Sequence, residues 1–329
     1  MPGLAAVAKA GTKNLGTHTH WWAKLPNTCV ADDDGKQLFI EKGKEKMINM
    51  VAEGVFAETD TRGCNAGFVV TSEGVVMIDT PQLPTAAIRM RKLAESHGPI
   101  KYLINTEHHV DHIFGNYFFN GVGAVMSQAY VYEEFMVVYP EINPYEYAKE
   151  AIPTDDPEGA ALFPDKDTYF KNMNRPNITF TGDATLRLGG LTFELIATPG
   201  HSPGLIAVYI PEKKLVFASD NIFNGVQTWH YSSNIPQWIE TLQRLKKLDA
   251  EIIVPGHGPV CGADRIDAQK AILFEWQYRV ADCVARGVDV EECIKLMEIR
   301  DRFSVDIGQE YMLEHVIENN VRTLYRKFA

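Results

Sequence analysis

Short apolar runs bounded by Gly and Asp dominate the chain between residues 54 and 126, and a second set of such runs follows residue 177. Their length and their flanking turn residues, as in GFVVT at 67–71 and VVMID at 75–79, predict β-strands. Between two of these runs, TAAIRMRKLAESHG carries apolar residues at helical spacing and predicts a helix that stops at Gly98. Alternating strands and helices predict an α/β layered fold.

Three stretches depart from this pattern. Residues 1–37 show no sustained period and are predicted to form a loosely ordered N-terminal arm. Residues from about 127 to 176 are dense in Tyr, Pro and acidic residues, and this insertion is interpreted either as a lid over a pocket or as a plain surface excursion. Residues 264–329 have apolar positions at helical spacing and predict a helical C-terminal extension. This extension either caps the preceding domain, at 38–263, or forms a homodimer interface, and we expect the homodimer.

Composition narrows the range of partners. The chain has 329 residues, of which 45% are hydrophobic and 23% are charged, close to the average of globular proteins. Its 43 acidic residues outnumber its 32 Lys and Arg residues, and the formal net charge of −11 disfavours nucleic acid or an anionic membrane as a partner. The five cysteines include no C-x-x-C pair, and we see neither a signal-peptide-like start nor a long apolar run. We therefore expect a soluble, cytoplasmic protein that acts on a small molecule.

The candidate chemistry lies where apolar strands end. One cluster, N-T-E-H-H-V-D-H at 105–112, follows such a strand, and the motifs TPGH, VFASD and PGHG occupy similar positions later in the chain. Because strand ends meet at one edge of a sheet, their imidazole and carboxylate groups are expected to converge, and such a mixture suits divalent metals. Seven residues are candidate ligands, enough for two ions: Glu107, His109, Asp111, His112, His201, Asp220 and His257.

The order of these motifs resembles that of the metallo-β-lactamase superfamily, over roughly residues 54–262. The resemblance implies an α/β fold of the αββα four-layer sandwich type, with a metal site at one edge between two sheets, so that 38–263 is the catalytic domain. It also implies two metal sites with a shared carboxylate: site one with Glu107, His109 and His201, site two with Asp111, His112 and His257, and a bridge from Asp220.

Glu107 departs from the family pattern, which has histidine at this position. A carboxylate is a harder ligand than imidazole, so Glu107 makes iron or manganese a more favourable alternative to the expected two zinc ions. Three outcomes stay open: a two-zinc hydrolase, a mixed or iron-containing centre, and a single metal at site two. Asp79, at the end of an earlier strand, is expected to support a ligand rather than to bind metal itself.

The resemblance further implies hydrolysis by a metal-held hydroxide. Asp220 would orient the hydroxide, Asp111 could accept a hydrogen bond from it, and His230 is a candidate for proton donation from the pocket wall. The expected substrate is a small, partly apolar organic molecule such as an ester, lactone, thioester or β-lactam. The alternatives are an iron-dependent oxidoreductase, a hydrolytic dehalogenase of an aromatic ring, a mononuclear site-two enzyme and, least favoured, a binding pseudoenzyme.

Four other residues are interpreted as lying outside the site. His18 and His20 have the spacing of a metal pair but are expected to be surface histidines, and His108 is expected to point away from the cluster. Cys64 has no recognisable base beside it in the sequence, and we find neither a G-x-S-x-G elbow nor a P-loop. Catalysis by a side-chain nucleophile is therefore not expected.

Overall fold

Two β-sheets form the centre of the fold in the computed structural model, which describes residues 29–31, 37–41, 44–138 and 144–329. The larger sheet contains nine described strands in chain order: β1 (Cys29–Ala31), β2 (Gln37–Glu41), β3 (Lys44–Ala52), β4 (Val55–Ala57), β5 (Gly67–Thr71), β6 (Gly74–Ile78), β7 (Ile100–Ile104), β8 (Ala124–Gln128) and β9 (Ile178–Phe180). Neighbouring strands are antiparallel from β1 to β6 and parallel from β6 to β9.

The smaller sheet has five described strands, also in chain order: β10 (Ala184–Leu188), β11 (Leu191–Ala197), β12 (Ile206–Ile210), β13 (Leu215–Phe223) and β14 (Ile252–His257). Its strands are antiparallel except for the last pair, β13 and β14, which run in parallel. A parallel pair brings two carboxyl ends to the same edge of the sheet, which places the ends of the VFASD and PGHG motifs side by side.

The α-helices follow or connect these strands: α1 (Pro84–His97), α2 (Val110–Ile113), α3 (Ala129–Glu133), α4 (Pro144–Asp155), α5 (Pro157–Ala160), α6 (Lys166–Asn172), α7 (Ile235–Leu245), α8 (Asp264–Ala285), α9 (Val290–Lys295) and α10 (Leu313–Phe328). Short 3-10 helices occur at Phe114–Phe119, Pro211–Lys213, Glu298–Asp301 and Glu310–Met312, and a π-helical turn spans Glu134–Val138. Within the described ranges, no helix has both the length and the apolar character that a membrane crossing requires.

Three apolar clusters hold the helices and the two sheets together in four layers. One cluster lies between the two sheets and joins inward residues such as Val76 and Phe217. A second packs α1, through Leu93, on the outer face of the larger sheet. A third packs α7 and α8, through Trp238 and Trp276, on the outer face of the smaller sheet. Helices cover both outer faces, which explains why β6 and β13 are buried along their whole length. The predicted αββα sandwich is confirmed.

The described part of the predicted insertion is largely helical. Between β8 and β9 the chain forms α3 to α6, and their aromatic side chains, Tyr145 and Tyr169 among them, share a small cluster with Phe114. An ion pair between Asp155 of α4 and the buried Arg62 ties the insertion to the loop before β5. The insertion therefore packs its aromatic side chains against the body of the fold and is braced there by the ion pair.

The N-terminal prediction can be compared with the structure only at its end. Cys29–Ala31 falls inside the predicted arm but forms the edge strand β1, paired with β2. The rest of that arm, with His18 and His20, lies outside the described residues.

The C-terminal extension caps the chain's own smaller sheet. Buried residues of α8 and α10, such as Leu273 and Val321, share one cluster with residues of β12 and β13. Of the two roles considered for this extension, intramolecular capping is thus present. The homodimer stays a prediction.

Replacing Trp276 with alanine should lower the free energy of unfolding by about 3–5 kcal/mol, because its indole is fully buried in the cluster that holds α8 on the sheet. The matched control is Arg265→Ala on the same helix, where the side chain is 51% exposed and the change should stay within about 0.5 kcal/mol. Urea unfolding followed by circular dichroism measures both. Equal, small shifts would contradict the packing of α8.

Candidate metal centre

The candidate ligands lie at one edge of the sandwich, where β7, β13 and β14 end. Two residues there adopt left-handed backbone conformations: Asp79, directly after β6, has φ of 55° and Ser219, within β13, has φ of 50°. The register between β13 and β14 shifts at Ser219, and this irregularity presents Asp220 at the sheet edge. Gly256 in the PGHG motif allows the two strands to meet, because a Cβ atom there would lie 1.9 Å from Asp220 Oδ1.

The site-one group consists of Glu107, His109 and His201, and its ligand atoms lie within 4.8 Å of one another and of Asp220. His109 Nδ1 is 2.7 Å from Glu107 Oε2 and 3.2 Å from His201 Nε2. Ser202 donates a hydrogen bond of 2.9 Å to the same Glu107 oxygen. The Glu107 carboxylate is therefore turned into the cluster.

The site-two group consists of Asp111, His112 and His257. His257 Nε2 lies 3.2 Å from Asp111 Oδ2. Asp220 stands between the two groups, because its Oδ1 is 3.2 Å from His112 Nε2 and 3.4 Å from His257 Nε2, while its Oδ2 is 3.3 Å from His201 Nε2. The structure thus brings all seven predicted side chains together.

Unpartnered polar atoms indicate that the cluster fits divalent cations. Glu107 Oε1, His112 Nε2 and Asp220 Oδ1 are buried and accept or donate no well-formed hydrogen bond, although His112 Nε2 lies 3.4 Å from Glu107 Oε1 and 3.2 Å from Asp220 Oδ1. Burying such atoms without a partner costs free energy, and a cation between them removes that cost. The donor set of imidazole nitrogens and carboxylate oxygens suits zinc as well as manganese or iron.

The imidazoles are oriented from behind by groups that accept from their second nitrogen. Asp79 Oδ2 is 2.9 Å from His112 Nδ1, and the carbonyl oxygen of Trp229 is 3.1 Å from His201 Nδ1. Asp306 Oδ2 is 2.9 Å from His257 Nδ1. Such contacts fix the tautomer and leave Nε2 free for a metal. Asp79 occupies the supporting position expected from the sequence, whereas Asp306 was not anticipated.

Neighbouring charges shift the pKa values of the ligand candidates strongly. Burial would raise the pKa of Asp220, but His257 and His112 outweigh it and hold the pKa well below its usual range. Burial likewise opposes ionisation of Glu107, yet the imidazoles, His109 foremost, bring its pKa to about 2. Burial would lower the pKa of His112, but the surrounding anionic groups raise it well above its usual value. Metal binding must therefore displace protons from imidazoles.

A cavity of about 890 Å³ opens onto this cluster. Trp229 and Tyr231 line one side as stacked rings, 5.7 Å apart with an interplanar angle of 12°. Tyr311, Met312 and His315 of the C-terminal extension line another side. None of the described lining residues comes from the insertion at 127–176, so the lid interpretation has no support in the part of the chain that the structure describes.

Two histidines differ from their predicted placement. His108 does not point away but lines the cavity, and burial, followed by His109, lowers its pKa to about 3, so it is neutral at pH 7. His230 is fully buried behind the cavity wall, between Trp238 and Trp276, with ring centroids 5.9 and 5.5 Å away. Because its ring is enclosed by the core and does not line the cavity, the expectation that His230 donates a proton to substrate is corrected.

The fold places Cys64 beside Asp79 and His112, which its sequence context does not reveal. Its thiol lies with Asp79 and His112 in one group whose ligand atoms are within 4.8 Å of one another. Burial raises the pKa of this thiol to about 12 despite the opposing effect of His112, so the group stays protonated at neutral pH. A protonated thiol is a poor nucleophile, which agrees with the expectation that Cys64 does not carry catalysis.

Residues 59–257 match the family model of the Metallo-beta-lactamase superfamily. The chain belongs to this superfamily. It is 22% identical to a beta-lactamase-like protein 2 homolog from Caenorhabditis elegans, over 82% of this chain and 79% of that protein. It is 24% identical to a hydroxyacylglutathione hydrolase from Thermosynechococcus vestitus, over 55% of this chain and 62% of that protein.

Solved structures share the fold of this superfamily member. A metallo-beta-lactamase family protein from Thermus thermophilus is 17% identical and superimposes with a TM-score of 0.56, over 84% of this chain and 92% of that chain. The matches support an enzyme of a metal-dependent superfamily whose relatives include hydrolases. The superfamily match ends at His257, so Asp306 and the C-terminal cavity wall lie beyond it.

Proposed function

We propose that the protein is a metal-dependent hydrolase that acts on a small, partly apolar organic substrate with an ester, thioester, lactone or β-lactam bond. The observation that carries this proposal is Asp220, whose two carboxylate oxygens face two separate groups of ligands at the base of a cavity. A divalent cation bound there supplies Lewis acidity and lowers the pKa of a coordinated water to near 7.

The residues around Asp220 have separate proposed roles in metal binding and in orienting the attacking water. Glu107, His109 and His201 would hold one cation, and Asp111, His112 and His257 a second, with Asp220 between them. Asp111 is the carboxylate in the best position to accept a hydrogen bond from the attacking water, because it lines the cavity and its side chain is 22% exposed. Because its pKa is about 2, burial being outweighed by His112 and His257, it is ionised at neutral pH.

The cavity walls favour a substrate with a flat, apolar portion. The stacked Trp229 and Tyr231 provide an aromatic surface, and a cavity of about 890 Å³ has the size of sites for drug-sized molecules. Aromatic surfaces bind planar groups by offset or edge-to-face contact. We therefore infer that the group next to the scissile bond is aryl or otherwise apolar rather than highly charged.

The same proposal includes the identity of the metal, the oligomeric state and the cellular location of the protein. Zinc is the preferred metal, because mixed imidazole and carboxylate donors suit it. A homodimer is favoured by the exposed side chains of Phe274 and Tyr278, which lie one helical turn apart on α8. A cytoplasmic location is favoured by free thiols at Cys64, Cys261, Cys283 and Cys293.

Elemental analysis combined with a panel of chromogenic ester, thioester, lactone and cephalosporin substrates tests the proposal. We expect zinc in the purified protein, hydrolysis of at least one substrate, loss of this activity after chelation and recovery on zinc addition. Asp111→Ala should abolish that hydrolysis, because it removes the acceptor at the cavity base. Asp267→Ala is the matched control, since this carboxylate is exposed on α8 and pairs with Lys246.

Two results would count against this function. Iron as the dominant metal, with oxygen consumption and no hydrolysis, would favour the oxidoreductase that Glu107 makes chemically accessible. Unchanged turnover in Asp111→Ala would remove the assigned role of that carboxylate.

A further inference from the structure

We propose that Asp306, in the C-terminal extension, is a positioning residue that aims His257 at the metal site and thereby sets the affinity of that site for divalent cations. This inference rests on the proposed metal binding, but it does not depend on which substrate is hydrolysed. It assigns a part of the metal centre to a segment that follows the matched family region.

The contact between the two side chains is buried and specific. Asp306 Oδ2 lies 2.9 Å from His257 Nδ1, and the two side chains are 5% and 7% exposed. The His257 ring also stacks on Phe223, with centroids 5.1 Å apart and an interplanar angle of 7°. Stacking restricts the ring to one plane, and the carboxylate fixes its rotation within that plane.

This arrangement determines which nitrogen can bind metal. When Nδ1–H donates to Asp306, Nε2 carries the lone pair of the neutral imidazole. His257 Nε2 faces the cluster, 3.2 Å from Asp111 and 3.4 Å from Asp220. An anionic acceptor behind an imidazole also raises its basicity as a ligand. Loss of Asp306 would therefore weaken His257 as a metal ligand and leave its ring free to adopt the other tautomer.

The segment around Asp306 is anchored by hydrogen bonds. The backbone amide of Gln227 donates to the carbonyl of Ser304 at 2.8 Å, and the Gln227 side chain donates to the carbonyl of Phe303 at 2.7 Å. Within the segment, the amide of Gln309 donates to the carbonyl of Asp306 at 2.9 Å and closes a local turn. The two bonds from Gln227 attach the segment to the chain that follows β13, so the carboxylate is held in place before any metal binds.

Asp79 provides an internal comparison. It sits behind His112 at the same 2.9 Å from Nδ1, and it belongs to the matched superfamily region. Both imidazoles of site two thus have a carboxylate behind them, one from the larger sheet and one from the extension. This repetition supports a role for Asp306 at the metal site rather than in packing alone.

The test measures cobalt(II) affinity of metal-stripped protein by competition with a chromophoric chelator, and records the visible spectrum of the bound ion. Asp306→Ala should lower the affinity of the more weakly held ion or of both ions about 10–100-fold and change the ligand-field bands. Asp306→Asn should show a smaller loss, because its amide oxygen can still accept from Nδ1–H but carries no charge. The matched control is Glu310→Ala, an exposed carboxylate on the same segment, which should leave affinity and spectrum unchanged.

The outcomes separate this inference from the hydrolase assignment. Wild-type affinity and spectrum in folded Asp306→Ala and Asp306→Asn would overturn the inference, and if the alanine variant does not fold, the asparagine variant decides alone. A wild-type protein that binds no cobalt would overturn it together with the proposed function. Reduced cobalt affinity in the variants, with no hydrolysis of any substrate by wild type, would uphold Asp306 and reject only the hydrolase.

Discussion

Replacing Asp220 with asparagine should empty both proposed metal sites and lower kcat/KM by roughly 10³-fold or more on any substrate that the wild type hydrolyses. The physical reason is its position between the two groups, with one oxygen 3.2 Å from His112 Nε2 and the other 3.3 Å from His201 Nε2. Asparagine keeps the shape but removes the charge, and its amide nitrogen would face a cation. Elemental analysis after dialysis and steady-state kinetics measure the two effects.

Asp267→Asn is the control for this substitution, because it makes the same chemical change on the exposed face of α8 and should alter neither metal content nor rate. Thermal unfolding of both variants checks that they fold. Two metals bound to folded Asp220→Asn, with wild-type turnover, would show that this carboxylate is not the bridge.

Glu107→Gln should reduce bound metal selectively at site one. The side chain is fully buried and ionised, with a pKa of about 2, because the imidazoles around it, His109 foremost, overcome the effect of burial. Glutamine removes this charge at nearly constant volume, so the site loses its anionic donor while site two keeps its ligands. We expect metal content to fall towards about one ion per chain and turnover to fall about 10²-fold.

Glu107→His tests metal preference at the same position. Imidazole is softer than carboxylate, so this variant should shift the choice between zinc and manganese towards zinc in a competition dialysis. Glu251→His is the control, since it makes the same chemical change at an exposed carboxylate that pairs with Lys214. An unchanged metal ratio in Glu107→His and unchanged stoichiometry in Glu107→Gln would together mean that Glu107 does not bind metal.

Local patterns in the sequence were sufficient for the layers of the fold and for the convergence of the ligand candidates. Strand-length apolar runs locate β5, β6 and β7, and the helical spacing that stops at Gly98 matches α1. The ligand candidates follow strand ends, and the geometry of a sheet makes such positions converge. Both inferences depend only on neighbours along the chain.

The missed features depend on contacts between distant segments. Asp306 follows no apolar strand and belongs to no motif, so only the folded chain brings it to His257. His230 follows Asp220 in a polar, aromatic sequence that suggests a pocket, but α8 covers it with Trp276. The composition of the insertion left a lid and a surface excursion open, and it gave no indication that the described cavity wall includes residues of the C-terminal extension such as Tyr311.

The segment that carries Asp306 also carries part of the cavity wall, and this proximity constrains how the enzyme can be redesigned. Tyr311, Met312 and His315 line the cavity and contribute no atom to the metal cluster, so a library that varies them can alter substrate choice while the seven ligand candidates stay constant. Asp306 and the two carbonyl groups that accept hydrogen bonds from Gln227, those of Phe303 and Ser304, lie only a few residues earlier in the chain. Insertions or deletions there would displace the Asp306 carboxylate from His257, so diversity in this segment is best introduced by substitution at constant length.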